Sequence, residues 1–322
     1  MRTGGWMMRR GIRILLKTIG AVIIAAALFM AVVFTINIIS NKSEQGKIEP
    51  YGQLVPVDGK QMNVLIQGTG EETIVLLPGY GTGAPALDFK PLIDELSPFY
   101  KVVAVEPFGY GLSDGTEKER TNANIVSELH EALQQLGIQR YTLMGHSIAG
   151  IYGLEYVNQY QDEVSAFVGI DSSVPTQGGM DEDQPVGLFK FLDKSGLMRV
   201  IKKVSGDPYA GLPFDDLTKE QMRLIANKNS SNDTTMNEME HFKVNFASAQ
   251  ALAFPKDLPL LLFVQDNNTD VEGWMTLHEG QVKDSLHGRL VPLEGGHYLH
   301  HTRSKEIVQD YREFMDEVQQ QK

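Results

Sequence analysis

Short apolar runs alternate with amphipathic stretches through most of this chain, from Tyr51 onward. Fully apolar runs of this length are typical of parallel strands that are buried on both faces. Their alternation with helical patterns predicts an α/β fold, in which helices cover both faces of a mostly parallel sheet. We place eight strands at 53–57, 61–67, 73–77, 101–105, 141–144, 164–170, 258–264 and 289–293, and helices at about 86–97, 121–136, 148–160, 274–282 and 303–319.

One long interval breaks this alternation. Residues 174–256 contain no strong strand pattern, but they carry amphipathic stretches at 186–204, 217–227 and 237–252. An insertion of this kind between two core strands predicts a helical cap. The core then consists of residues 51–173 and 257–322, with the cap between them.

The N-terminal region has the pattern of a membrane anchor. Residues 19–39 are uncharged and almost wholly apolar, which is long enough to span a bilayer as a helix. Residues 1–18 are basic, so the positive-inside rule places this stub in the cytoplasm and residues 40–50 outside, as a linker. We therefore expect a single-pass cell-membrane protein with an extracytoplasmic domain. The alternative is secretion after cleavage of an export signal, but the apolar run is long for a signal and no Ala-x-Ala-like site follows it.

Charge and cysteine content exclude several classes of protein. After residue 42 the chain holds 23 Lys and Arg against 41 Asp and Glu, which argues against nucleic acid as a partner. The chain has no cysteine, so disulfide frameworks, thiolate metal sites and cysteine nucleophiles are all excluded.

The most informative motif is a strand, a tight turn at Ser147 and a helix, in the sequence YTLMGHSIAG of residues 141–150. The turn needs small side chains at Gly145 and Ala149, because larger ones would collide across it. This arrangement resembles the nucleophile elbow of the α/β-hydrolase superfamily. The resemblance extends over nearly all of residues 51–320 and implies the α/β-hydrolase fold, with an eight-stranded, mostly parallel sheet and a helical cap.

The resemblance also implies further site residues. LLPGYGT at 76–82 resembles the family's oxyanion loop, in which the amides of Tyr80 and Ile148 would bind the developing oxyanion. The run EPFGYGLSD at 106–114 resembles a structural turn of the family. His297, on the loop after the last strand, matches the catalytic base. His300 and His301 have no such match, and we expect them at a helix start, either solvated or packed.

The carboxylate that completes a triad stays ambiguous in the sequence. On the simplest register Asn268 occupies the usual position of the acid, and an amide cannot stabilise a charged imidazole as a carboxylate does. Asp171, at the end of the preceding strand, is the leading candidate because some family members carry their acid there. Asp266 and Asp270 are the alternatives.

The resemblance implies a serine hydrolase that cleaves an ester, lactone, thioester or activated amide through an acyl-enzyme on Ser147. Its partner would be a small acyl substrate, and no metal or organic cofactor is implied. One alternative is a non-catalytic or signalling member that only binds a ligand. A lesser one is a proline-releasing aminopeptidase, for which the acidic cluster at 181–183 would bind the free amine. The apolar cap residues either line an acyl pocket or pack the cap: Phe189, Phe191, Leu192, Met198, Met222, Phe242 and Phe246.

Overall fold

The computed structural model describes residues 4–321, with side chains from residue 8 onward. The chain divides into two compact units. The helical unit holds the N-terminal residues up to Lys47 together with Gly187–Pro208. The sheet unit holds Ile48–Val186 and Tyr209–Lys322.

The sheet unit is built on eight strands in the order β1-β2-β4-β3-β5-β6-β7-β8. β1 and β2 are antiparallel to their neighbours, and the remaining pairs are parallel. The predicted eight-stranded, mostly parallel sheet is therefore confirmed. The strands are β1 Gln53–Val57, β2 Lys60–Gln67, β3 Thr73–Leu77, β4 Lys101–Glu106, β5 Tyr141–His146, β6 Val164–Ile170, β7 Leu260–Gln265 and β8 Gly288–Leu293.

Two apolar cores cover the two faces of this sheet. Neighbouring strand residues alternate between them: Leu143 packs in one core and Met144 in the other, and both are fully buried. This double burial explains why the central strands are apolar throughout. The covering helices are α2 Pro85–Asp88, α3 Lys90–Leu96, α4 Asn122–Gln135, α5 Ala149–Gln159, α11 Trp274–Val282, α12 Leu299–Thr302 and α13 Ser304–Gln320.

The prediction of one helix over 86–97 was wrong, because the structure has two helices, α2 and α3, in its place. Pro91 lies in the first turn of α3. Proline has no N–H to continue a helical hydrogen bond but fits the start of a helix, so the chain begins a new helix there.

The interval between β6 and β7 is helical, as predicted, and the described residues contain no strand there. α8 Asp216–Lys228, α9 Asp233–Glu240 and α10 Phe242–Ala249 belong to the sheet unit. The amphipathic stretch over 186–204 forms two helices, α6 Val186–Lys194 and α7 Leu197–Ser205, because Gly196 adopts a left-handed conformation between them. A single cap domain over 174–256 stays a prediction.

Three of the seven apolar residues whose roles were open are buried. Met222, Phe242 and Phe246 are buried in the cores of the sheet unit. Phe191, in the helical unit, is 56% exposed instead. Packing therefore accounts for the apolar character of the three buried residues. It does not explain why the exposed Phe191 is apolar.

The helical unit contains one long helix, α1 Gly4–Gln45. It includes the apolar residues 19–39, and its apolar side chains are mostly exposed. By length and composition, α1 could cross a membrane, although an N-terminal signal sequence can have the same character.

Candidate active site

Ser147 occupies the sharp turn between β5 and α5 with φ of 54°. This left-handed conformation is uncommon outside glycine and has to be held by its surroundings. The Ser147 amide donates to the Ile170 carbonyl at 3.2 Å, and the Ser173 amide donates to the Ser147 carbonyl at 2.8 Å. The end of β6 therefore fixes the backbone of the turn.

The tightness of this turn explains its small residues. A Cβ atom added at Gly145 would lie 2.9 Å from the Cβ of Ala149. The two residues thus face each other across the turn at a separation that leaves no room for a side chain at position 145.

Asp171 and His297 form the central pair of the site. Asp171 Oδ2 lies 2.6 Å from His297 Nδ1. The carboxylate is fully buried, and its second oxygen accepts from the Gln265 amide at 3.0 Å and from Trp274 Nε1 at 2.7 Å. The leading candidate for the acid is therefore the one that the structure brings to His297.

The alternative carboxylates lie elsewhere. Asp266 and Asp270 are exposed, and no described contact joins either to His297. The Asn268 side chain accepts from the amides of Asp270 at 2.9 Å and Val271 at 3.0 Å. Asn268 thus closes a local turn, a role in which its amide oxygen substitutes for a backbone acceptor.

The loop after β3 lies against Ser147, as the sequence predicts for an oxyanion loop. A Cβ atom at Gly79 would lie 3.0 Å from the Ser147 Cβ and 2.6 Å from His146 Nδ1. Among the described residues, the amides of Tyr80 and Ile148 have no acceptor. Two unpaired amides beside the serine are the groups that can bind a developing oxyanion.

The Tyr80 side chain joins the loop after β3 to α9 and α10. Its hydroxyl donates to the Thr235 carbonyl of α9 at 3.0 Å, and its ring contacts Phe242 of α10 edge-on. Ser147 and His297 are not joined by a hydrogen bond in the described chain. Such bonds are often long without substrate and shorten when it binds.

His146 packs directly against the candidate base. Its Nε2 donates to the His297 carbonyl at 3.1 Å, and the two ring centroids are 4.6 Å apart. Burial, together with the neighbouring His300 and His297, holds the pKa of His146 well below its usual range. A neutral His146 therefore supports the loop that carries His297.

His300 and His301 share one buried carboxylate, that of Asp88. Their Nε2 atoms donate to its two oxygens at 2.8 and 2.9 Å. Burial opposes ionisation of Asp88, but these hydrogen bonds outweigh it and lower its pKa, while burial lowers the pKa of His300. Of the two expectations for this pair, the solvated one was wrong because the carboxylate on α2 gives both rings a buried partner.

The same three residues are the one group among those described whose ligand atoms cluster closely enough to hold a metal ion. Each candidate histidine ligand atom, however, already donates a proton to Asp88. These three residues thus form a hydrogen-bonded clasp between α2 and α12.

Two residues beside Asp171, Trp274 and His278, were not recognised in the sequence. Trp274 begins α11 and binds Asp171, while the His278 ring nitrogens lie 2.8 Å from the carbonyl oxygens of Trp274 and Ser172. His278 is fully buried, and burial lowers its pKa. Neither residue lies in a recognisable motif. The only signal in the sequence for the contact between Trp274 and Asp171 is that Trp274 closely follows the loop after β7.

Glu238, a buried residue of α9, links this helix to the core of the sheet unit. Glu238 accepts hydrogen bonds from Tyr110 at 2.8 Å and Tyr152 at 2.7 Å, and burial raises its pKa. These residues line a largely apolar cavity together with Pro78 of the loop after β3. Neither Ser147 nor His297 is among the residues that line this cavity.

Comparison with known proteins supports the fold assignment. A model of the α/β hydrolase fold matches residues 72–199. The chain is 29% identical to the uncharacterized protein YbdG of Bacillus subtilis (strain 168) over 265 residues, 79% of this chain and 81% of that protein. It is 24% identical over 180 residues to the 2-hydroxy-6-oxo-6-(2'-aminophenyl)hexa-2,4-dienoic acid hydrolase of Metapseudomonas resinovorans, covering 55% of this chain and 59% of that enzyme.

A solved structure extends the similarity over more of the chain. The crystal structure of a bacterial membrane phospholipase A has a TM-score of 0.60 and 20% identity, covering 95% of this chain and 99% of that one. At this identity the likeness establishes the fold alone. Together with the sheet order and the turn at Ser147, these similarities show that the chain has the α/β-hydrolase fold.

Proposed function

We propose that this protein is a serine hydrolase that cleaves an ester-type bond through an acyl-enzyme on Ser147. The observation that carries the proposal is the 2.6 Å contact between Asp171 Oδ2 and His297 Nδ1, at the same sheet edge as a serine with φ of 54°. A buried carboxylate that accepts from one ring nitrogen holds the other ready to take a proton. The unpaired amides of Tyr80 and Ile148 support the same chemistry.

The reaction would proceed in two halves. His297 takes the Ser147 hydroxyl proton as Oγ attacks the substrate carbonyl, and the Tyr80 and Ile148 amides bind the oxyanion. Collapse breaks the bond to the leaving group, which receives the proton from His297. Water, deprotonated by His297, then attacks the acyl group, and Ser147 regains its proton. Asp171 stabilises the imidazolium in each half.

Relatives named as hydrolases support hydrolysis without defining the bond that is cleaved. The second relative is named as the hydrolase of a dienoic acid, and six further matches are named as putative carbamate hydrolases. A carbonyl that a serine can attack is common to the substrate classes we propose: esters, lactones, thioesters and activated amides.

The two alternatives have less support. A pure binding protein would not need an elbow serine, a paired histidine and two unpaired amides together. For a proline-releasing aminopeptidase, the acidic residues at 181–183 would have to face the substrate. They are exposed, and Asp183 lies 3.5 Å from Lys243 Nζ. This cluster has the character of a solvated turn.

We also propose that α1 anchors the protein in the cell membrane, with residues 1–18 in the cytoplasm and the sheet unit outside. The basic residues before the apolar run support this orientation. Extraction of membranes with alkaline carbonate would release a cleaved, secreted form but retain an anchored one. Protease added to intact cells should reach the sheet unit only in the proposed orientation.

Labelling with a fluorophosphonate probe tests the hydrolase proposal. The full-length protein in detergent should react rapidly, whereas Ser147→Ala should not react and His297→Ala should react at least a hundredfold more slowly. Each variant must keep the circular dichroism spectrum of the parent. A folded parent chain that resists the probe would favour the ligand-binding alternative.

A further inference from the structure

Residues Gly187–Pro208 form a helical hairpin, α6 and α7, that groups with α1 and not with the sheet. We refer to these residues as the α6–α7 hairpin. The hairpin packs closely on the last third of α1: a Cβ atom at Gly196 would lie 2.8 Å from the Asn37 Cβ and 3.0 Å from the Val33 carbonyl oxygen. Because Gly196 lacks a side chain, the turn can approach α1 at this point.

Arg199 of α7 fixes the hairpin to α1 through polar contacts. Its guanidinium donates to both Glu44 oxygens at 2.6 and 2.9 Å, and also to the side-chain oxygens of Asn37 and Asn41. The contact runs from Val33 to Glu44, about 16 Å along the helix at 1.5 Å per residue. This segment extends from inside the apolar run of 19–39 to beyond its end, which is the level of the lipid headgroups if α1 spans a bilayer.

Both helices of the hairpin expose apolar side chains at helical spacing. Leu188 and Phe191 on α6 are 55% and 56% exposed, and Ile201 and Val204 on α7 are 45% and 82% exposed. Residues three apart lie on the same face of a helix, so each helix presents an apolar stripe that the fold leaves uncovered.

The net charge of the hairpin is opposite in sign to that of the rest of the chain after residue 42. Gly187–Pro208 contains five basic and two acidic residues, whereas the other residues after position 42 contain 18 basic and 39 acidic ones. A short helix that combines exposed apolar residues with lysines on an otherwise acidic protein is typical of elements that lie in the interface of anionic membranes.

We propose that the α6–α7 hairpin is a second membrane contact, which lies in the headgroup layer beside α1 and binds anionic lipid. Leu188, Phe191, Ile201 and Val204 enter the boundary of the acyl chains, and the lysines face the headgroups. The inference rests on the proposed membrane anchor but is independent of the proposed chemistry. With α1 and the hairpin both bound, the protein has two attachments to one membrane. The second attachment fixes the orientation of the helical unit on that membrane.

The absence of cysteine from the chain makes this contact directly measurable. Val204→Cys and, as the matched control, Leu286→Cys would be labelled with an environment-sensitive fluorophore in the full-length protein. Leu286 is 73% exposed and lies in the sheet unit. The labelled proteins would be reconstituted in phosphatidylcholine vesicles with or without phosphatidylglycerol, some of them carrying acyl chains brominated near the headgroup.

We expect a blue shift and bromine quenching at Val204 but not at Leu286, both stronger with phosphatidylglycerol. Lys194→Gln and Lys203→Gln, introduced separately, should each lower the ratio of docked to undocked hairpin about fivefold, as expected for one surface charge. A Val204 probe that stays in water while the protein floats with the vesicles would overturn the hairpin proposal alone. Loss of flotation would overturn the anchor and the hairpin together.

A signal that depends on the ratio of protein to lipid, and not on phosphatidylglycerol, would show that a second copy covers the stripe and would also overturn the proposal. Fluorophosphonate labelling of each cysteine variant provides an independent readout. A failure of the hydrolase proposal changes that labelling and leaves the quenching unaffected.

Discussion

Asp171 Oδ2 lies 2.6 Å from His297 Nδ1, although 126 residues separate them in the chain. Asp171 follows β6 and His297 follows β8, with β7 as the strand between them. Because the three strands are parallel, their carboxyl ends meet at one edge of the sheet, where ligands bind in open α/β folds. The buried carboxylate reaches past the end of β7 to the histidine loop.

Asp171→Asn should reduce kcat for a chromogenic ester by about 10³- to 10⁴-fold, because the amide disfavours the tautomer that accepts the serine proton. Asp266→Asn and Asp270→Asn are matched controls, since both side chains are exposed and neither contacts His297. We expect each to change kcat less than twofold. A large loss in either control, with Asp171→Asn unaffected, would reassign the acid.

Trp274→Phe removes the indole N–H that donates to Asp171 Oδ1 at 2.7 Å, while the apolar ring remains. A hydrogen bond to a charged group contributes about 1.5 to 3 kcal/mol, so we expect a loss of about tenfold or more in kcat/KM. Steady-state kinetics at several pH values would measure it. An unchanged pH profile and rate would show that Trp274 only fills space.

Gly79→Ala should lower both activity and stability, because the new methyl group would lie 2.6 Å from His146 Nδ1 and 3.0 Å from the Ser147 Cβ. Overpacking of this kind typically costs about 1 to 3 kcal/mol. Gly178→Ala is the matched control, since its added Cβ meets nothing within 4 Å. Fluorophosphonate labelling rates and urea unfolding would be compared, and equal effects at the two glycines would contradict the tight packing of the loop after β3 against Ser147.

Acid should destabilise the sheet unit before its carboxylates are protonated. Burial lowers the pKa values of His146 and His300. Below the usual histidine pKa of about 6.5 the unfolded chain binds these protons and the folded chain does not, so stability is present above that pH and is lost as pH falls. Each group contributes at most about 1.4 kcal/mol per pH unit.

This effect can be measured by urea unfolding between pH 7.5 and 5.5. His146→Gln retains a side-chain N–H donor but cannot be protonated in this range, so its stability should fall less with acid than that of the parent. A variant with the same acid dependence as the parent would show that His146 titrates normally in the fold.

Asp88→Asn tests the clasp between α2 and α12. The pKa of Asp88 is lowered in the fold, so its ionisation stabilises the protein above the unfolded carboxyl pKa of about 3.9, and this contribution is lost as pH falls below it. We expect Asp88→Asn to be less stable at pH 7 and to show a smaller further loss between pH 4 and 3. An equal loss in variant and parent would contradict the assignment.

The sequence by itself determined the order of strands and helices, because apolar runs buried on both faces and a glycine-dependent turn at Ser147 are local properties of the chain. It also indicated Ser147, His297 and the loop at Tyr80, since each lies beside a strand in a short motif. The sequence did not show where helices break: Pro91 divides the helix predicted over 86–97, and Gly196 separates two helices within the amphipathic stretch at 186–204.

Only the tertiary structure shows which of the three candidate carboxylates contacts His297. Asp171, Asp266 and Asp270 all follow strands whose ends lie at the same edge of the sheet, and the sequence contains no information on the distance from each to His297. The same holds for the contacts of Trp274 with Asp171 and of His300 and His301 with Asp88, which join residues more than 100 positions apart. Such contacts depend on how β6, β7 and β8 and the helices after them pack together, and no local pattern specifies that geometry.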